Sequence, residues 1–303
     1  MTAALTIVRM GPVAAEILHQ DGEAEVAAVF ERSAVIMTTH GFMTLGGEAL
    51  GNGPLNVLLS AAVGPLDWLR LGIAREAKGR VQRGTLHIGD QFALASHASP
   101  VWQPPPWPQA TRGAIKRSLV HLQEMDISAW PPEGLSRLII ARQTDGTDRS
   151  ARAAAPTITD LVRMLPPAIA SQRAAPALIR AATLLVGLGP GLTPSGDDLL
   201  GGLFLALTAI GRTTLRDTLW DALAPEMDIL TTGLSGAHVA AAADGLGGER
   251  VHLALNALLS NDAALLPAHI ASLRAIGHCS GCDTLSGIVL ALTAALEAGI
   301  VEA

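Results

Sequence analysis

One internal duplication constrains this chain more than any other feature. Shifted by 85 positions, Ser195-Gly196-Asp197-Asp198-Leu199-Leu200-Gly201-Gly202-Leu203-Phe204-Leu205-Ala206-Leu207-Thr208-Ala209 aligns with Ser280-Gly281-Cys282-Asp283-Thr284-Leu285-Ser286-Gly287-Ile288-Val289-Leu290-Ala291-Leu292-Thr293-Ala294, with ten of 15 residues identical. The Leu-Ala-Leu-Thr-Ala matches are cheap in an apolar chain. The pairs Ser195/Ser280, Gly196/Gly281, Asp198/Asp283 and Gly202/Gly287 are not. The repeat predicts two equivalent apolar helices related by a pseudo-twofold axis. Asp198, Gly202 and Ala206 follow at four-residue steps, as do Asp283, Gly287 and Ala291. Each carboxylate therefore lies on a stripe of small residues along which another helix can approach closely.

Each helix start supports two readings. Ser-x-x-Asp before an apolar run is a capping box, in which side chains satisfy the free backbone donors of the first turn. In the first copy Thr193 can instead be the cap, with Pro194 at the first helical position. The functional reading rests on the glycines nearby. Gly187, Gly189, Gly191 and Gly196 approach the first helix, and Gly277 and Gly281 flank the second. Glycine lets backbone amides come close to a ligand, and a helix N-terminus favours an anion. Two facing starts would cradle a phosphate or carboxylate through Gly189, Gly191, Ser195, Gly196, Asp197, Ser280 and Gly281. The paired acids Asp198 and Asp283 can divide acid and base roles, since one charge raises the other's pKa. His278, beside the second motif, is a candidate proton carrier.

Other motifs fail on context. Cys279-Ser280-Gly281-Cys282 lacks the βαβ setting of a thioredoxin-like site and the spread ligands of a zinc site. Gly187-x-Gly189-x-Gly191 lacks the spacing of a dinucleotide-binding fingerprint, and no Walker lysine is present. Neither a metal nor a cofactor is expected.

The rest of the chain suggests an α+β protein with two parts. From Glu25 to about Ala141 short β-like runs alternate with glycine and proline: Ser33 to Thr39, Asn56 to Leu59, Thr85 to Ile88 closed by Gly89-Asp90, and Leu138 to Ala141. Helices are expected near Trp68 and from Ala114 to Met125. Val101-Trp102-Gln103-Pro104-Pro105-Pro106-Trp107-Pro108 reads as an extended surface loop, because proline removes donors and fixes φ. Thr144 to Pro156 suits a linker. The expected domains are a β-rich one over residues 1–150 and a helical one, carrying the repeat, over residues 151–303.

Composition narrows the function classes. With 49% hydrophobic and 16% charged residues, the chain is not disordered and is expected to bury surface against other protein. The net charge of -6 comes without any Lys/Arg run, which argues against nucleic acid. Met1 to Gln20 does not read as a signal peptide, so a cytoplasmic location is expected. Leu199 to Gly211 and Thr284 to Leu296 fall short of the ~18 to 20 residues of a membrane span, so no membrane association is expected. Tyrosine is absent, which removes phenols from the candidate acids.

Gly187-Leu188-Gly189-Pro190-Gly191-Leu192-Thr193-Pro194-Ser195-Gly196-Asp197-Asp198, Thr231-Thr232-Gly233-Leu234-Ser235 and Gly277-His278-Cys279-Ser280-Gly281-Cys282-Asp283 resemble segments of the AllH-like family. Val29-Phe30-Glu31-Arg32 and Gly51-Asn52-Gly53-Pro54 resemble its shorter N-terminal signatures. Cys279 and Cys282 stand where that family more often has Ser and a larger residue, which makes the CxxC incidental. The family includes a subunit of oxamate carbamoyltransferase in purine and allantoin breakdown. The resemblance implies carbamoyl exchange between an oxamate-like amide and phosphate, run in breakdown as phosphorolysis of oxalurate to oxamate and carbamoyl phosphate. It also implies a hetero-oligomer with other carbamoyltransferase subunits and a small anionic substrate. In that setting Arg32 would clamp a carboxylate or phosphate, and Asn52 would join the binding site. A subunit whose motifs only cap helices at an interface is the competing class.

Overall fold

The computed structural model describes residues 5–60, 68–143, 148–260, 262 and 264–300. The chain is α+β and divides into two compact units, Met1–Pro104 and Pro105–Ala303.

In the first unit, strand β1 (Ile7–Met10) leads into helix α1 (Pro12–Leu18), followed by β2 (Gly22–Val29), β3 (Ser33–Thr38), β4 (Gly41–Gly47), β5 (Asn56–Leu59), β6 (Lys78–Gln82), β7 (Thr85–Ile88) and β8 (Phe92–Ala95). They form one sheet in the order β1-β5-β4-β3-β2-β6-β7-β8. Among the described strands, β4 and β5 are the one pair that runs parallel. The β6–β7 turn shows why these residues make a hairpin. Arg83 and Gly84 both take positive φ, 50° and 72°, as a two-residue turn between twisted strands requires. Alternate side chains then face one side, and Val26, Ile36, Met43, Leu45, Val57, Leu86 and Ile88 form a closed core.

The second unit is helical: α2 (Arg112–Glu124), α3 (Ser136–Ile139), α4 (Arg149–Ser171), α5 (Pro176–Thr183), α6 (Ser195–Ala209), α7 (Thr213–Leu230), α8 (Gly233–Ala243), α9 (Glu249–Ser260), α10 (Leu266–Arg274) and α11 (Ser280–Glu297). The repeated segments are α6 and α11, and both are buried nearly all round. Among the described residues no helix is long and apolar enough to cross a membrane.

Several local expectations need correction. In the helical unit, which starts at Pro105, α2, α3 and the turns around them send Ile115, Leu119, Leu122, Trp130 and Ile140 into the core. Leu138 to Ala141 is not a strand but the end of α3 and its exit. A short apolar run fits either element when nothing but its hydrophobicity is read. The expected linker begins with Thr144 to Thr147, which lie outside the described residues, but from Arg149 it is the start of α4. Asp148 caps that helix by accepting the Ala151 amide at 2.8 Å. The alanines taken for linker composition are strong helix formers once capped. Trp68 opens a series of turns rather than a helix, and residues 61–67 before it lie outside the described set. The proline-rich segment from Val101 to Pro108 forms no helix or strand, as expected of an extended loop, but its tryptophans are packed. Trp102 is buried and its amide bonds the Met10 carbonyl at 2.8 Å. Trp107 stacks on His252 at 4.3 Å between ring centroids.

Candidate functional site

The crossing of α6 and α11 brings the repeated motifs together. A Cβ on Gly202 would lie 1.9 Å from the Thr284 carbonyl oxygen, and one on Gly287 would lie 1.9 Å from that of Leu199. Each helix thus rests its backbone on the other's glycine, a reciprocal contact that makes the pseudo-twofold relation concrete. The approaches to the two helices match as well. The Gly196 amide bonds Leu188 O at 2.9 Å, and the Gly281 amide bonds Ile276 O at 3.3 Å. A Cβ on Gly196 would strike Leu185 O, and one on Gly281 would strike Leu273 O, both at 2.0 Å.

These contacts reassign much of the glycine pattern. Gly196 and Gly281 allow backbone to pack on backbone. At the start of α6 the Gly196, Asp197 and Asp198 amides are bonded to Leu188 O and Pro194 O, and in α11 the Asp283 amide bonds Cys279 O at 2.9 Å. Donors that would meet an anion are already used by the protein itself. Gly189, at φ 123°, sits tight against Ser195, where a Cβ would be 2.8 Å from its nitrogen. Gly191, at φ 97°, has open space around its Cα.

Neither repeat serine caps its own helix. The pairing is exchanged between the copies. Asp198 of the first motif faces the Ser280 hydroxyl of the second, together with Thr193, and Thr193 Oγ1 meets Ser280 Oγ at 2.9 Å. Asp283 of the second motif faces Ser195 of the first, together with Cys279, and Ser195 Oγ lies 3.7 Å from Cys279 Sγ. Asp283 also accepts the Leu135 amide at 2.6 Å. The turn before α3 covers it so closely that a Cβ on Gly134 would be 2.6 Å from both carboxylate oxygens. Each aspartate keeps its Oδ2 buried without a hydrogen-bond partner.

Burial raises both carboxyl groups. Asp198 is driven well above the usual carboxylate range, with the nearby charges of Asp283 and Asp197 adding to burial. Asp283 is pushed up to about 6, held there by its bond from Leu135 and the Ser195 hydroxyl. Burial first, and then the Asp283 charge, push the Cys279 and Cys282 thiols up to about 12, so neither is a ready thiolate.

Asp197, grouped with the anion site from sequence, plays a different part. It is buried and accepts the Gly187 amide at 2.8 Å, the Ser235 hydroxyl at 2.7 Å and the Thr231 hydroxyl. Thr232 caps α8 by accepting the Ser235 amide and donates to Leu192 O at 2.6 Å. The Thr231–Ser235 motif therefore fastens the glycine-rich approach to the start of α8. Cys282 takes the place of Asp197 in the second copy, and no such fastening is repeated.

His278 points outward. Its side chain is 77% exposed and its Nε2 lies 3.2 Å from Glu133 Oε2. Arg32 and Asn52 belong to the sheet unit. Arg32 is exposed in the β2–β3 turn. The signature around Asn52 packs against the start of α1, where a Cβ on Gly11 would be 2.0 Å from Gly53 O and the Ala14 amide bonds Pro54 O. Reasoning from sequence missed Gly134 and Leu135. A backbone donor has no side-chain signature, and only the turn-like Pro131-Pro132-Glu133-Gly134 marks the place. Among the described residues no group of three metal-ligating side chains occurs.

No solved structure matches the chain. A family model does: residues 185–292, which hold all of α6, α11 as far as Leu292 and the Thr231–Ser235 fastening, match the family described as oxamate carbamoyltransferase subunit AllH, the family that the motifs resemble.

Proposed function

We propose that this chain is a subunit of a cytoplasmic, hetero-oligomeric carbamoyltransferase that exchanges a carbamoyl group between an oxamate-like amide and phosphate. In purine and allantoin-type nitrogen breakdown the reaction runs as phosphorolysis of oxalurate. A phosphate oxygen attacks the ureido carbonyl carbon, the bond from that carbon to the inner nitrogen breaks, and oxamate and carbamoyl phosphate leave. The phosphate hydroxyl loses a proton and the departing nitrogen gains one, so the reaction needs a base and an acid. The observation that carries this reading is the exchanged Ser/Asp pairing, which sets two buried carboxyl groups at one helix crossing and leaves an oxygen of each unpaired. The small anionic substrate would then meet Asp198 and Asp283, with Gly191 and the Thr193, Ser195 and Ser280 hydroxyls beside them. His278, Arg32 and Asn52 stay in the proposal as groups that a partner subunit or substrate could engage.

A second reading has its own support. The helix-start amides are satisfied within the chain and Asp197 serves as a fastening, which is what a purely structural motif in a non-catalytic subunit would show. Reconstitution with the neighbouring subunits and an assay for carbamoyl phosphate separates the two. Asp198→Asn in an intact complex should lower turnover by a factor on the order of 100 if the carboxyls take part in proton transfer. Full turnover would leave the scaffold reading.

A further inference from the structure

The two halves of the repeat treat their carboxyl groups unequally. Among the described residues the hydrogen-bonding groups at Asp198 are the hydroxyls of Ser280 and Thr193. Asp283 faces Ser195 and Cys279 and also receives the Leu135 amide at 2.6 Å. Both leave Oδ2 buried and unpartnered. The charged and titratable groups around them do not neutralise the pair. Asp197 and Asp148 add negative charge, and Cys279 and Cys282 are neutral thiols. His278 is turned out to Glu133. Arg274, felt by Cys282, donates to Ser128 O. Among the described residues neither carboxyl forms an ion pair with Lys or Arg.

We propose that Asp198 and Asp283 hold one proton between them at neutral pH, and that Asp198 carries it while Asp283 stays ionised. As a catalytic role this rests on the carbamoyl-transfer reading; as a protonation state it does not. Burial without a paired cation disfavours the charge on either carboxyl, and the Asp283 charge adds to that cost at Asp198. The backbone donor decides its position. An N–H bond stabilises the anion, so the carboxyl with Leu135 beside it is the one that ionises. A protonated Asp198 gains an O–H donor where its carboxylate form has an orphan acceptor. The directions of the two pKa shifts agree, with Asp198 the more strongly raised.

The consequence for carbamoyl transfer is an acid and a base set on opposite halves of a near-symmetric site. Asp198 would give its proton to the departing nitrogen as the C–N bond breaks. Asp283 would take the proton of the attacking phosphate hydroxyl. Return of that proton from Asp283 to Asp198 restores the starting state, and no other reactant is needed.

The test is an infrared spectrum of the purified chain in D2O at about pH 7.5, where an Asp283 titrating near 6 is mostly ionised. Wild type should show the C=O band of a protonated carboxylic acid, and Asp198→Asn, shown to be folded by circular dichroism, should lose it. Asp283→Asn should keep the band, because burial is the largest cause of the Asp198 shift; this variant carries the test if Asp198→Asn does not fold. Absence of the band in wild type, its retention in folded Asp198→Asn or its loss in Asp283→Asn would overturn the proposal. The band is read without substrate or partner, so it can fail while carbamoyl transfer stands, and the reverse.

Discussion

The crossing of α6 and α11 can be tested by adding one methyl group at either of two adjacent glycines. In Gly202→Ala the new Cβ would be 1.9 Å from Thr284 O and 2.8 Å from its carbonyl carbon. Backbone cannot rotate away as a side chain does, so the helices must part by more than an ångström or α6 must bend. Overpacking of this kind costs about 1–3 kcal/mol and more where backbone must move. Replacing glycine in a helix interior returns about 1 kcal/mol of propensity. The net expectation is a loss of about 2 kcal/mol. Gly201→Ala is the control. Its Cβ would meet only Ala242 Cβ, at 3.6 Å, an ordinary contact. The propensity gain should remain, giving up to about 1 kcal/mol of added stability. Urea denaturation followed by circular dichroism reads the difference, about 3 kcal/mol between neighbouring alanines. For a unit of this size that corresponds to a separation of roughly 6 to 12 °C in melting temperature. Equal stability of the two variants would refute the glycine-on-backbone crossing.

Other residues give equally direct expectations. Asp197→Ala should lower stability by about 3 kcal/mol or more in denaturant titrations, since it strands the Gly187 amide and two hydroxyls; a loss under about 1 kcal/mol would contradict the fastening. His252 is buried, accepts the Gly247 amide at 3.0 Å, and has its pKa lowered from 6.5 to about 4 by burial. The unfolded chain therefore binds the extra proton first. The stability contributed by the neutral ring is complete above pH 6.5 and is lost as pH falls from 6.5 towards 4, with a ceiling of about 3 kcal/mol. His252→Phe, which can still stack on Trp107, should reduce the drop in unfolding free energy between those limits; an unchanged drop would show that His252 is not its source. His278→Ala should change the melting temperature by no more than about 4 °C, because an exposed His–Glu contact contributes about 0–1 kcal/mol.

The equivalence of α6 and α11 was legible because ten matches in 15 positions at a fixed offset are rare by chance, and because small residues at four-residue steps imply a close crossing. The strands at Ser33, Asn56 and Thr85 were legible from β-branched runs ended by turn residues. The exchange of partners between Ser195 and Ser280 was not. A capping box and a cross-helix bond use the same residues, and only the crossing geometry decides between them. Glycine was ambiguous for a similar reason: Gly196 and Gly281 look as suited to a ligand as to the carbonyls of Leu185 and Leu273. The Leu135 amide reaches Asp283 across 148 positions of chain through a backbone donor, which no residue pattern encodes. Ile139 and Ile140 read as strand because a four-residue apolar run carries no period long enough to tell the two elements apart.

The central claim is that the paired carboxyls of Asp198 and Asp283 serve carbamoyl transfer rather than helix packing alone. It is tested most directly by the rate of carbamoyl phosphate formation from oxalurate and phosphate in the reconstituted complex, with assembly checked by size-exclusion chromatography. Asp198→Asn and Asp283→Asn should each assemble and melt close to wild type yet turn over on the order of 100-fold more slowly. Turnover within about twofold of wild type in both assembled variants would contradict the account.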